Sequence, residues 1–186
     1  EALASLADGG LLAVGEGPDG PPGSHPAAIR SQTGELRVGD YLGDPSLDPA
    51  DAAVAGSSLL VLERGISLLA GWRVRIVAVP VGDLGSGTGF VLTGRELATI
   101  SGRGVGENYE GLAVRADPDG AFRLYLVADD NFSPFQRTLL LVGLHDAHDA
   151  QDALRIRVGL AVPLRPHVLG QPADDVRGLL ERHGDV

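Results

Sequence analysis

Short apolar runs alternate with turn-forming residues from residue 3 to about residue 144. Apolar runs of about four to eight residues bounded by Gly, Pro, Asn or Asp are typical of β-strands. Segments 4–16, 27–41, 52–64 and 111–130 are each interpreted as two strands joined by a turn. In the last of these, Asp-Pro-Asp-Gly at 117–120 has residues that a type I turn prefers. The pattern predicts an all-β fold.

A helical pattern occurs only near the end of the chain, at residues 172–184. Pro172 and two Asp residues precede apolar side chains at helical spacing, and Arg182 and His183 precede Gly184. These are the residue types that begin and end helices. We therefore predict one short C-terminal helix.

Acidic residues recur at the ends of hairpins. The second predicted strand is followed by acid at Glu16, at Glu63, and at Asp129 and Asp130. Units of about 40 to 50 residues built from short antiparallel strands are typical of β-propeller blades. We therefore expect a partial β-propeller of about three blades, with these acids at the same end of neighbouring blades.

The composition excludes several kinds of chemistry. The chain has 186 residues, no Cys and no Lys, so its basic side chains are all Arg. Thiol nucleophiles, Cys-bound zinc, disulfides and Schiff bases are excluded. The Gly-rich run at 85–89 lacks the lysine that would complete a P-loop.

The net charge of −10 limits the partners. A surface this negative repels nucleic acid and anionic membranes, and it disfavours polyanionic substrates unless a bound cation or clustered Arg reverses the local field. No apolar run approaches the roughly 18 residues of a membrane span. We therefore expect that the protein does not bind nucleic acid and contains no membrane span.

Carboxylate and amide oxygens near the predicted strand ends suggest a calcium site. Calcium takes about six to eight oxygen ligands. The candidate ligands are Glu110, Asp129, Asp130, Asn131 and Glu63. The alternative is that each acid ends a strand, caps a turn or pairs with an Arg, and for Glu16 and Glu63 this alternative is favoured.

Two arginines follow these acids closely. Arg64 comes directly after Glu63, and Arg137 follows Asp130 with Gln136 beside it. The planar guanidinium group binds phosphate or carboxylate through paired hydrogen bonds. Arg64, Arg137 and Gln136 are therefore candidate substrate contacts, although the interpretation that both arginines neutralise nearby acids is slightly favoured.

The segments NYEGLAV at 108–114 and ADDNFSPFQRTLLL at 128–141 resemble the bacterial phytase-like family described as "esterase-like activity of phytase". Segments 59–79, 94–100 and 7–16 are similar to earlier parts of that domain. The resemblance covers about residues 3 to 142, and its motifs are most specific at 108–141.

The resemblance implies an exported, propeller-like, calcium-dependent phosphoester hydrolase, acting on a phosphorylated small molecule that its arginines contact. It also implies that residues 1–144 are the C-terminal portion of such a domain, incomplete at its N-terminal side. Residues 145–186 are an unmatched extension, predicted as loop, strand and short helix. Open sheet edges would permit self-association. The alternative function is a non-catalytic exported propeller-like binding or scaffold module.

Overall fold

A computed structural model describes residues 1–17, 20–84, 89–102, 106–133, 136–145 and 162–163. Within these ranges the fold is all-β, as predicted, with one 3-10 turn at Val81–Leu84 and no α-helix. The helix predicted at 172–184 lies outside the described residues. Among the residues described, no helix is long and apolar enough to cross a membrane.

The strands, numbered in chain order, form three sheets. Sheet A has the order β1 (Ala2–Ser5), β2 (Leu11–Val14), β3 (Ser24–Arg30), β4 (Leu36–Leu42) and β8 (Gly89–Thr93). Sheet B has the order β5 (Asp48–Ala55), β6 (Ser58–Ser67), β7 (Gly71–Pro80) and β9 (Arg95–Ser101). Sheet C has the order β10 (Tyr109–Ala116), β11 (Phe122–Ala128), β12 (Leu139–His145) and β13 (Val162–Pro163).

Neighbouring strands pair antiparallel except β4 and β8, which are parallel. The predicted hairpins at 4–16, 27–41 and 111–130 are confirmed as β1–β2, β3–β4 and β10–β11. In the third, the amide of Gly120 donates to the carbonyl of Asp117 at 3.0 Å. Gly120 has a φ of 88°, a conformation that costs glycine little.

Sheet B is the middle layer of the molecule. Leu59 and Val61 of β6 pack with the side chains of sheet A, while Leu60 and Leu62 pack with those of sheet C. Because successive side chains of a strand point to opposite faces, a strand buried on both faces is apolar throughout. This accounts for the continuous apolar run that begins β6.

The first strands of the three sheets are neighbours, since β5 contacts both β1 and β10. Asp51 links β5 to β10, because its Oδ2 accepts a hydrogen bond from the amide of Leu112 at 2.7 Å. Its Oδ1 accepts from the amide of Ala52 at 2.8 Å. The stacking brings the end of β2, the end of β6 and the start of β10 to one edge of the molecule.

Candidate functional site

Arg64 joins the three sheets at that edge. Its Nη2 lies 3.3 Å from Oε1 of Glu110 in β10 and 3.8 Å from Oε1 of Glu16, which follows β2. Of the acids expected at the ends of hairpins, Glu16 lies at this edge, and it is joined there by Glu110 from the start of β10. They meet around a shared arginine.

The Arg64 side chain is well fixed. It is 21 % exposed, and its guanidinium carbon lies 6.0 Å from the centre of the Trp72 ring, within the range of a cation–π contact. Its Nε is buried and has no hydrogen-bond partner among the described residues. One donor of the guanidinium group is therefore unused.

Asn108 is a residue of this site that the sequence prediction missed. Its side-chain amide donates to Oε1 of Glu110 at 2.8 Å, so Asn108 and Arg64 converge on one carboxylate oxygen. The carboxylate sets the orientation of the amide, because the flipped group would place oxygen against oxygen. The remaining Oδ1 of Asn108 is buried without a partner in the described structure. The signal was its place in the NYEGLAV motif, directly before the β10 strand. We call Arg64, Glu16, Glu110 and Asn108 the Arg64 site.

The predicted ligands at 129–131 form a tight turn after β11. Oδ1 of Asp129 accepts from the amide of Asn131 at 3.3 Å, and Oδ1 of Asp130 accepts from the amide of Phe132 at 2.9 Å. The Asn131 side chain donates to Oε1 of Gln136 at 3.1 Å. Asn131 and Phe132 have φ values of 49° and 56°. Carboxylates commonly support turns in this way, so these are contacts of a structural corner.

Arg137 also has an acidic partner. Its Nε and Nη2 donate to Oε1 of Glu107 at 2.8 and 2.7 Å. The Glu107 side chain is only 8 % exposed. Beside it the hydroxyl of Tyr109 is buried without a partner in the described residues, and burial, then the Glu107 charge, raises the pKa of Tyr109. Arg137 therefore belongs to a different ion pair from Arg64.

Glu63 lies in the interior. It is fully buried, and its Oε1 accepts from the hydroxyl of Tyr41 at 2.5 Å while its Oε2 accepts from Nε of Arg75 at 2.6 Å. A β-carbon at Gly43 would overlap Oε1, so glycine leaves room for the carboxylate. Burial, then Glu63, raises the pKa of Tyr41 far above its usual range, which keeps the phenol protonated as a donor. Protein donors thus engage both oxygens of Glu63.

The described side chains do not form a ready-made metal site. Across the ranges that the structure describes, no group of three or more Asp, Glu or His side chains is placed to hold a metal ion. The Asp129 and Asp130 carboxylates each support a backbone amide, and Glu110 faces Arg64. Calcium binding stays a prediction.

A family model described as "Phytase-like: Esterase-like activity of phytase" matches residues 1–132. The match contains the whole Arg64 site and ends within the corner that follows β11. No curated protein and no solved structure matches the chain.

Proposed function

The chain belongs to the phytase-like family, and from this premise we propose that it hydrolyses phosphoesters at the Arg64 site. The observation that carries the proposal is the guanidinium group of Arg64, which is held against Trp72 and remains partly exposed at the edge where three sheets meet. Phosphate oxygens are acceptors that a guanidinium group binds through paired donors. In this proposal Arg64 orients the phosphate, and Asn108 holds Glu110 in place beside it.

Charge explains why the proposal includes calcium. Arg64 is flanked by the carboxylates of Glu16 and Glu110, so a phosphate dianion would meet two negative groups and one positive one. A bound calcium ion would neutralise carboxylates and polarise a phosphoryl oxygen. Its proposed ligands are Glu110, Asp129, Asp130 and Asn131. Glu63 is left out because its oxygens are occupied.

Hydrolysis of a simple aryl phosphate and of phytate, each with calcium or with EDTA, tests the activity. We expect calcium-dependent release of phosphate that Arg64→Ala reduces by roughly tenfold or more, since a charge-assisted contact is worth about 1.5–3 kcal/mol. The matched control is Arg30→Ala, an exposed arginine on β3. Activity that Arg64→Ala leaves unchanged would contradict the assigned phosphate contact.

A non-catalytic binding or scaffold module is the second candidate function. The observation that favours it is the corner at 129–137, where predicted site residues make structural contacts: Asp130 accepts from a backbone amide, and Arg137 pairs with Glu107. If this candidate is correct, no phosphoester is hydrolysed with or without calcium, and substitutions in the corner lower stability equally in both conditions.

We also propose a propeller-like arrangement and an exported protein. The succession of three antiparallel sheets, with β5 between β1 and β10, supports the first. A small-angle scattering profile that fits an annular sector would support the propeller-like arrangement, whereas a profile that fits an elongated sandwich would contradict it. The family resemblance supports export, which fractionation of cells that make the natural protein would test.

A further inference from the structure

The outer face of sheet A, which points away from sheet B, carries an unusual amount of exposed apolar surface. Its large apolar side chains are between 38 and 64 % exposed. They are Leu3, Leu11, Leu36, Val38, Leu42 and Val91. Contiguous apolar patches of this kind on a soluble domain commonly mark an interaction surface.

Small residues make the centre of this face concave. Strand register places Leu3, Ala13, Ala28 and Val38 directly opposite one another across four strands. The alanines in the middle of this row, together with Val38, line a depression of about 910 Å³. It is lined by Ala13, Pro26, Ala28, Val38, Asp40 and Val91, among others.

The outer face of sheet C, at the opposite side of the stack, is apolar with larger side chains. Tyr125 lies opposite Val142, and Val127 lies opposite Leu140, so the four form a continuous cluster on β11 and β12. Their neighbours Leu124 and Leu126 point the other way, into the core against sheet B. Val127 is 40 % exposed.

We propose that the outer face of sheet C of one copy packs into the depression on sheet A of a second copy. The two faces complement each other in size, with alanines at the centre of one and Tyr125 and Val127 on the other. Within the chain, face-to-face packing already joins sheet A to B and B to C. The proposed contact repeats this packing between copies.

The contact uses two different surfaces, so it is heterologous. Such contacts build a closed ring when the rotation between copies closes, and an open filament when it does not. The proposal differs from pairing through sheet edges, because it buries faces rather than backbone hydrogen-bonding groups. It does not depend on the proposed hydrolase activity.

Sedimentation of the full chain across micromolar concentrations tests the proposal. We expect assemblies of two or more copies of the 19.2-kDa chain. Val38→Lys and Val127→Lys should each weaken association by roughly tenfold or more, because an unpaired charge would be buried in the contact. Leu69→Lys, at the exposed tip of the β6–β7 hairpin, is the matched control and should change nothing. Since all three positions are exposed, unchanged unfolding midpoints would show that the variants fold.

Mixing the two variants identifies the faces. Val38→Lys retains an intact sheet C face and Val127→Lys an intact sheet A face, so together they should form a dimer through one contact. Three results would overturn the proposal: a monomeric wild-type chain, association of Val127→Lys as strong as wild type, or no complex between the variants. A monomeric wild-type chain would mean that a different protein, or another part of a longer chain, covers the apolar faces.

Discussion

At the residue scale, solvent exposure separates acids that look alike in the sequence. The Glu63 side chain is 0 % exposed and accepts from Tyr41 and Arg75, whereas that of Glu110 is 39 % exposed beside Arg64. A buried carboxylate must keep all its partners, because losing one leaves a desolvated group unpaired. A half-exposed carboxylate can exchange a partner for solvent or a ligand.

Tyr41→Phe should therefore destabilise the protein by about 1.5–3 kcal/mol near neutral pH, because it removes a donor to a buried carboxylate. Urea unfolding measures the change. The folded pKa of Tyr41 is raised above its unfolded value, so its contribution is complete below about pH 10 and is lost as the pH rises further. The variant should lack this alkaline loss. Tyr125→Phe, on the outer face of sheet C, is the control, and equal effects of the two substitutions would contradict the assigned network.

Asn108→Asp should destabilise the fold more than Asn108→Ala. The aspartate would place a carboxylate oxygen where an amide now donates to Glu110, and two like charges at that separation repel. The alanine loses the hydrogen bond but also removes the unpartnered Oδ1. Thermal unfolding of both variants at neutral pH compares them. A smaller loss for the aspartate would mean that the amide is oriented the other way.

At the element scale, polar side chains hold the connections between strands. The turn that leads from β4 to β5 is fixed by Asp44, which accepts from the hydroxyl of Ser46 at 2.6 Å and from Arg73 at 3.0 Å. The corner after β11 is fixed in the same way by Asp129 and Asp130. The shifted pKa of Asp44 relates the stability of the first connection to pH.

Asp44 should contribute to acid unfolding. Its hydrogen bonds from Ser46, and then Arg73, lower its pKa from 3.8 to about 2. Because the folded pKa lies below the unfolded one, the stabilisation is present above about pH 4 and is lost as the pH falls towards 2. Asp44→Asn should flatten the loss of stability in this window, measured by urea unfolding at a series of pH values. An unchanged slope would show that the turn does not hold the carboxylate.

Asp130→Ala distinguishes the structural role of the corner after β11 from its proposed role in binding calcium. We expect a loss of about 1 kcal/mol in EDTA, because the amide of Phe132 loses its acceptor. With calcium present the loss should be larger, since the proposed ligand set also loses a member. Ser46→Ala, in the other turn, is the control and should lose equally in both conditions. Equal losses for Asp130→Ala would favour the scaffold function.

At the scale of the whole molecule, calcium binding to the folded state must raise stability. A ligand that binds only the folded protein stabilises it by about 2.7 kcal/mol at a hundredfold excess over its dissociation constant. We therefore expect a higher unfolding midpoint in millimolar calcium than in EDTA. A midpoint independent of calcium, in a cooperative transition, would remove the metal from the proposed function.

Local sequence patterns were sufficient to predict the strands, their hairpins and the all-β class. These features depend on side-chain alternation and on turn residues such as Asp117 and Gly120, which act over a few neighbouring positions. The family motifs could also be recognised in the sequence, because each is a contiguous segment. The helix predicted at the C-terminal end lies outside the described residues.

Which side chains meet could not be predicted from the sequence, because it depends on the tertiary structure. Arg64 is far along the chain from both Glu16 and Glu110, and no local pattern indicates that it contacts them. The same is true of the ion pair between Arg137 and Glu107 and of the parallel pairing of β8 with β4. These contacts depend on how the sheets stack, and stacking is set by the shapes of whole faces. The burial of Glu63 is likewise a property of the assembled interior, where neighbouring sheets remove its solvent and supply its partners.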